Sequence, residues 1–284
     1  LTEGNKEDVP PPALGSSNDY NFSPDGSEVA YALNPEFTKA ISTNIEIYLA
    51  SLSSPKTPKI ISVSKGVDCQ PVYSPDGKWI AWTSMKRAGF ESDKRDLILF
   101  DRKSGTIKNL TGDFDKSVDE FIWTPDSKTI YFLAANEIYN SIYKVDIDSD
   151  EPELFYKENY NTNIQLSKDG KTLFFLKQRT DLPAEIFSIS TDGKNTLKRI
   201  TFTNEKILSQ LEMNPVETFW CEGANGDKVQ SILVRPPFFD PNKKYPMMFL
   251  IHGGPQGAWE DNFHYRWNLQ MFAGAGYVVV APNP

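Results

Sequence analysis

Tyr73-Ser74-Pro75-Asp76-Gly77-Lys78-Trp79-Ile80-Ala81-Trp82 decides how the first two thirds of this chain fold. Proline fixes φ, aspartate can bond its own backbone and glycine accepts the left-handed conformation, so Ser-Pro-Asp-Gly is turn chemistry. An aromatic residue enters the turn and a β-rich run leaves it. The phrase recurs upstream as Phe22-Ser23-Pro24-Asp25-Gly26-Ser27-Glu28-Val29-Ala30-Tyr31, and downstream as Trp123-Thr124-Pro125-Asp126-Ser127-Lys128-Thr129-Ile130-Tyr131-Phe132. A degenerate fourth copy is Leu166-Ser167-Lys168-Asp169-Gly170-Lys171-Thr172-Leu173-Phe174-Phe175. The aspartates lie 51, 50 and 43 positions apart, the blade period of a β-propeller.

Each copy is followed by a run of period-two alternation, at residues 44–50, 96–101, 141–146 and 185–190. Short Lys/Arg-x-Ile/Leu-Thr/Ser strands follow, as at 107–111 and 198–203. Four strands per unit predict four blades between about residues 18 and 205. Recurrence in every unit makes the turn aspartates structural, and strand periodicity puts Trp79, Trp82, Trp123 and Phe174 in the core between blades. Leu1-Thr2-Glu3-Gly4 is similar to Leu110-Thr111-Gly112-Asp113, which predicts a blade before residue 1, with residues 7–17 as a loop between blades. The polar insertion at 86–95 reads as a solvated hairpin extension or as a substrate-facing loop.

Beyond Thr203 the phrase stops. Residues 204–214 read as a linker, and the runs at 217–223 and 229–234 as two strands about Asn225-Gly226-Asp227, a strong hairpin signal. Then comes Tyr245-Pro246-Met247-Met248-Phe249-Leu250-Ile251-His252-Gly253-Gly254-Pro255, a buried parallel-type strand opening into a tight turn. Two glycines leave the backbone free to take φ > 0 and keep Cβ atoms away, so peptide N–H groups can face a cleft where an oxyanion develops. Phe263, Trp267 and Met271, with Phe272 adjacent, predict one face of a helix that Gly274 and Gly276 stop before a strand at 277–282. The order is that of the opening of an α/β-hydrolase sheet.

Composition narrows the function. In 284 residues the formal net charge is −8 with scattered basic residues, which makes nucleic acid a poor partner. No apolar run approaches the roughly 18 residues of a membrane-spanning helix. Cys69 and Cys221, far apart and without a CxxC or a nearby histidine, give no support for a metal site. They are either two free thiols or one disulfide.

A Ser-Pro-Asp-Gly propeller leading into His252-Gly253-Gly254-Pro255-Gln256-Gly257-Ala258-Trp259 and then Phe263-His264-Tyr265-Arg266-Trp267-Asn268 resembles the prolyl oligopeptidase family of serine peptidases, in its acylaminoacyl-peptidase-like branch. The resemblance spans essentially the whole chain and divides it at 205: a β-propeller over 1–205, then a linker and the first part of an α/β-hydrolase domain over 206–284. It implies a serine exopeptidase releasing dipeptides from the N-terminus of short peptides through an acyl-enzyme, with no cofactor. The alternatives are an acylaminoacyl peptidase or oligopeptidase on the same scaffold, or a propeller binding module without catalysis.

By this resemblance Gly254 supplies a backbone N–H to the oxyanion hole, Gly253 gives the room for it, and His252 orients the turn. Trp259, Tyr265 and Trp267 would line the substrate cleft, although Trp267 serves equally well to pack a helix on the sheet. Periplasmic or secreted location, and a homodimer, are compatible with the same relatives. No G-x-S-x-G occurs, and His252 and His264 precede the place of a nucleophile, so the triad is expected outside this sequence. The remainder of the polypeptide or another chain would complete the sheet, and this stretch alone is expected to be inactive and unstable over its last 70 or so residues.

Overall fold

The computed structural model describes residues 9, 19–38, 41–194, 196–254 and 257–283. The expected preceding blade, the loop at 10–17 and Pro255-Gln256 lie outside them. The chain divides into two compact units, Leu1–Ala134 with Tyr143–Leu154, and Ala135–Ile142 with Phe155–Pro284. Residues 160–199 are thus grouped with those after 205.

The first sixteen strands of the described residues fall into four successive groups of four, of which the third and fourth join in one eight-stranded sheet where β11 meets β13. They are β1–β4 (Tyr20–Phe22, Glu28–Leu33, Glu46–Ser51, Lys59–Ile60) and β5–β8 (Asp68–Tyr73, Trp79–Met85, Arg95–Asp101, Ile107–Asn109). The third set is β9–β12 (Phe121–Trp123, Thr129–Asn136, Tyr139–Asp146, Glu153–Tyr156), and the fourth β13–β16 (Tyr160–Leu166, Thr172–Arg179, Leu182–Ser190, Leu197–Arg199). The blades lie where the repeat put them.

The repeated turns share one wiring. The hydroxyl of Ser23, Ser74, Thr124 or Ser167 donates to the aspartate two residues on, at 2.6, 2.7, 2.7 and 2.6 Å. The same oxygen accepts the backbone N–H that opens the next strand, at 3.1, 3.0, 3.0 and 3.0 Å. Gly26, Gly77 and Gly170 take φ of 69°, 71° and 71°; where the third copy has serine, Ser127 adopts 60°. Its hydroxyl accepts from the Asp76 amide at 3.0 Å, tying the second blade's turn to the third's. The Ser23 hydroxyl holds the Asp25 carboxyl down at about 2. These aspartates are acceptors that close turns.

Alternation along the strands builds the core. In β6, Ile80 and Trp82 pack with Ala30, Ile45 and Ile47 of the first blade, while Ala81 joins Leu97, Leu99, Trp123 and Ile130 on the other side. Phe174 departs from expectation: Leu173 and Phe175 are buried and Phe174 is 37% exposed. Period two lets only one of two adjacent phenylalanines face inward, and the pairing of Phe174 with Ser188 and Gln165 sets the phase. The insertion at 86–95 is stapled by Asp93, which takes both nitrogens of the Arg87 fork at 3.0 and 2.7 Å and the amides of Lys86 and Arg87. Cys69 is buried and Cys221 exposed, and both are free thiols.

In the second unit, Asn140 and Asn161 exchange side-chain bonds, each amide donating to the other's backbone carbonyl, where β11 meets β13 in parallel. Buried Glu185 accepts from the Thr201 hydroxyl, the Asn204 amide and Arg199, fixing the entry to the single-turn helix α1 (Glu205–Leu208). The later strands are β17 (Glu217–Glu222), β18 (Lys228–Val234), β19 (Met247–Phe249) and β20 (Val278–Asn283), in the order β17-β18-β20-β19. β17 and β18 form the expected hairpin, with Asn225 at φ 59° and Gly226 at 86°. β18 and β20 pair antiparallel, β19 and β20 parallel.

The helix α2 (Leu269–Gly274) is shorter than its periodicity predicts, so Phe263 and Trp267 lie outside it and Met271 is exposed. Side-chain capping sets its start: Asn268 Oδ1 accepts from the Gln270 amide at 2.8 Å, and His264 Nδ1 accepts from the amides of Arg266 and Trp267. Leu269, Gln270 and Ala273 are its buried residues. No helix of the described residues is long and apolar enough to cross a membrane.

Asp68 generates a stability prediction. It is 1% exposed and accepts from the Trp82 indole at 2.8 Å. Burial pushes its carboxyl up to about 7 against the pull of the Ser84 and Trp82 hydrogen bonds, and the Glu46 charge adds to the rise. The folded state therefore holds this proton more tightly than the unfolded chain. The group's stabilising contribution is full below about pH 4 and is lost as pH rises toward 7, by an amount on the order of a few kcal/mol. Asp68→Asn is expected to unfold at a higher temperature than wild type at pH 8, with the gap closing toward pH 4, as followed by thermal unfolding across that range.

Candidate active site

β19 ends at Phe249, and the chain leaves the sheet through Leu250, whose amide still donates to the Val280 carbonyl at 2.9 Å. Gly253 and Gly254 are exposed, and Gly254 has φ 73°. A Cβ on either would meet nothing within 4 Å, so conformation rather than crowding favours glycine at 254. Among the described residues neither amide donates a hydrogen bond. Such groups are available to an incoming oxyanion. Half-buried His252 has Nδ1 3.4 Å from the Gly253 carbonyl oxygen. A Cβ on Gly257 would stand 2.7 Å from that oxygen and 3.2 Å from Nδ1, so the turn doubles back closely here and excludes a side chain.

The three aromatic candidates occupy different settings. Trp259 is half-buried and tied down: its indole donates to the Leu250 carbonyl at 3.1 Å and its amide to Asn283 Oδ1 at 2.7 Å. Asn283 Nδ2 returns a bond to the Trp259 carbonyl at 2.9 Å. Tyr265 is 86% exposed, edge-on to Phe263, and Trp267 is 45% exposed with the Arg266 guanidinium 5.3 Å from its ring. Trp259 therefore braces the turn from behind, while Tyr265 and Trp267 present surface.

Sequence reasoning passed over Asp261, Asn268 and Asn283, which shape this region. Asn268 carried a readable signal, an Asn directly before a Leu-Gln-Met-Phe run. Asp261 carried none.

The outer edge of β19 has no partner strand among the described residues, and Met247, Phe249 and Ile251 are 61%, 51% and 78% exposed. A parallel strand with a bare edge and exposed apolar side chains is an unprotected sheet edge.

Comparison with known proteins fits this geometry. Residues 19–210 match the TolB beta propeller domain. The chain belongs to that propeller family. Dipeptidyl-peptidase 5 of Porphyromonas gingivalis is 33% identical over 285 residues, covering 100% of this chain and 41% of the relative. Dipeptidyl-peptidase 5 of Trichophyton equinum is 32% identical, covering 97% and 40%. Among solved structures, an acylaminoacyl peptidase in complex with Z-Gly-Gly-Phe-chloromethyl ketone superposes with TM-score 0.76 at 20% identity, over 96% of this chain and 40% of that one. Dipeptidyl peptidase 4 of Porphyromonas gingivalis gives 0.65 at 17%, over 91% and 36%. The fold is a propeller followed by the leading strands of an α/β-hydrolase domain, and the chain is a member of the prolyl oligopeptidase family. It spans about 40% of the length of these relatives.

Trp259→Phe keeps the ring but removes the donor, leaving the Leu250 carbonyl without its partner. It is expected to cost about 1 kcal/mol and lower the melting temperature by a few degrees, measured by calorimetry.

Proposed function

We propose that this chain supplies the propeller and the oxyanion-binding turn of a serine exopeptidase that releases dipeptides from the N-terminus of short peptides. The observation that carries this reading is Gly254, exposed at the carboxyl end of a parallel strand with φ 73° and an amide that meets no acceptor among the described residues. In acyl transfer a hydroxyl oxygen bonds to the scissile carbonyl carbon, the carbonyl oxygen takes up negative charge, and the C–N bond then breaks to release the amine. A preorganised N–H stabilises the charged oxygen more than the ground-state carbonyl, which is how it lowers the barrier. Gly254 is assigned that donor, Gly253 the open approach and His252 the orientation of the turn.

The nucleophile, base and acid are assigned to residues outside this sequence, which has no G-x-S-x-G. A further strand, from the remainder of the same polypeptide or from another chain, is assigned to the bare edge of β19. The partition into a propeller over 1–205 and a hydrolase part over 206–284 belongs to the same reading, as does work in the periplasm or outside the cell. Tyr265 and Trp267 are offered as substrate contacts, with Trp259 in the supporting part. A second reading, an acylaminoacyl peptidase, is favoured by the similarity to the chloromethyl ketone complex.

The test uses the full-length polypeptide that contains this chain. A dipeptidyl anilide with a free N-terminus is expected to be hydrolysed in preference to its N-acylated counterpart; the reverse order selects the second reading, and cleavage of neither ends both. Gly254→Ala, strained at φ 73°, is expected to lower kcat by about 10²-fold or more, beyond the effect of Gly253→Ala.

A further inference from the structure

Four residues after Gly257, an aspartate does more than its sequence announces. Asp261 is 3% exposed. Its Oδ1 accepts from the amide and hydroxyl of Thr180 at 2.9 and 3.0 Å, and Oδ2 accepts from Asn159 Nδ2 at 2.8 Å. Its own amide donates to the Ile138 carbonyl at 2.8 Å. Thr180 lies in the β14–β15 turn, Asn159 between β12 and β13, and Ile138 at the tip of the β10–β11 hairpin. The Phe263 amide adds a bond to Gln178 Oε1, and Asn268 Nδ2 one to the Thr180 carbonyl.

We propose that Asp261 is a positioning residue for the glycine turn, fixing the chain just past that turn to the loops at Ile138, Asn159 and Thr180 so that the Gly254 amide holds its catalytic place. The proposal rests on the peptidase reading above. A buried carboxylate is tolerated only where donors replace its water, and here each donor sits on a loop separate from Asp261 itself. Satisfying both carboxylate oxygens this way requires the two loops to be held together. From Asp261 the constraint passes back along the backbone to Trp259, which is bonded to Leu250 just before the turn and to Asn283 at the end of β20. Reaction rates are steep in such placement: a 1 Å error can cost about 10²-fold.

The experiment compares variants of the full-length polypeptide on a dipeptidyl anilide, with amide hydrogen exchange over 250–259 as a second readout. Asp261→Ala is expected to lower kcat by about 10- to 100-fold with KM within about threefold, to weaken a peptidyl aldehyde inhibitor in parallel with kcat, and to speed exchange in 250–259. Asp261→Asn is expected to recover most of the loss, because the Asn159 amide can turn to offer its oxygen to the new NH₂ group. Glu185→Ala removes another buried acceptor of the same unit and is expected to lower the melting temperature while leaving kcat and exchange at 250–259 as in wild type. Unchanged kcat and exchange in Asp261→Ala, or an equal loss in Glu185→Ala, overturns the proposal. Should Asp261→Ala not fold, Thr180→Val, which deletes one hydroxyl donor, is expected to show a smaller loss in the same direction, and no loss overturns it. A wild-type enzyme that cleaves no peptide defeats the peptidase reading, and the exchange measurement then decides the positioning claim by itself.

Discussion

A β-sheet that is apolar on both faces has to be covered on both, and that constraint governs this molecule. β6 shows it within one strand: Ile80 and Trp82 need the first blade, and Ala81 with its neighbours in β7 needs the third. No blade can bury its side chains alone, so the units stack and the stacking becomes the core. The turns serve this arrangement. Each Ser/Thr–Asp pair starts its strand at the same point, which fixes which residues face which neighbour.

The same constraint explains the last part of the chain. β20 lies between β18 and β19 and has Val279 and Ala281 buried, whereas β19 has a partner on one side only and shows its apolar residues. The glycine turn grows from this strand, so the feature given a chemical role is attached to the least covered element of the sheet. Its rigidity has to come from the other direction, through Trp259 and Asp261.

What could be read from the sequence was whatever repeats or has a local period. Blade number, turn chemistry and the hairpin about Asn225 and Gly226 are set by neighbours in the chain and lie where expected; the strand that opens into Gly253-Gly254 is parallel as expected but is shorter, Met247–Phe249, and exposed rather than buried, because among the described residues nothing covers its outer edge. The phase of Phe174 against Phe175 was not legible because both residues suit a core, and only cross-strand pairing chooses. The helix before β20 was overextended because 263, 267 and 271 share a helical face, while the hydrogen bonds that halt the helix at Asn268 depend on His264 and Asn268 side chains. Asp261 was invisible for a further reason: its partners are far away in sequence, and an aspartate among aromatic residues has no pattern.

That distance has a kinetic meaning. Inside a blade, strands are joined by tight turns and find their partners quickly, since short chain closures cost little entropy. The bonds from Asp261 to Thr180 and Asn159 close spans of 81 and 102 residues. Closures of that length cost more entropy than the turns inside a blade, so the contacts that shape the glycine turn are expected to form after the blades. Arrival at the native state and arrival at competence for chemistry would then coincide, and an intermediate with finished blades would carry an unformed site.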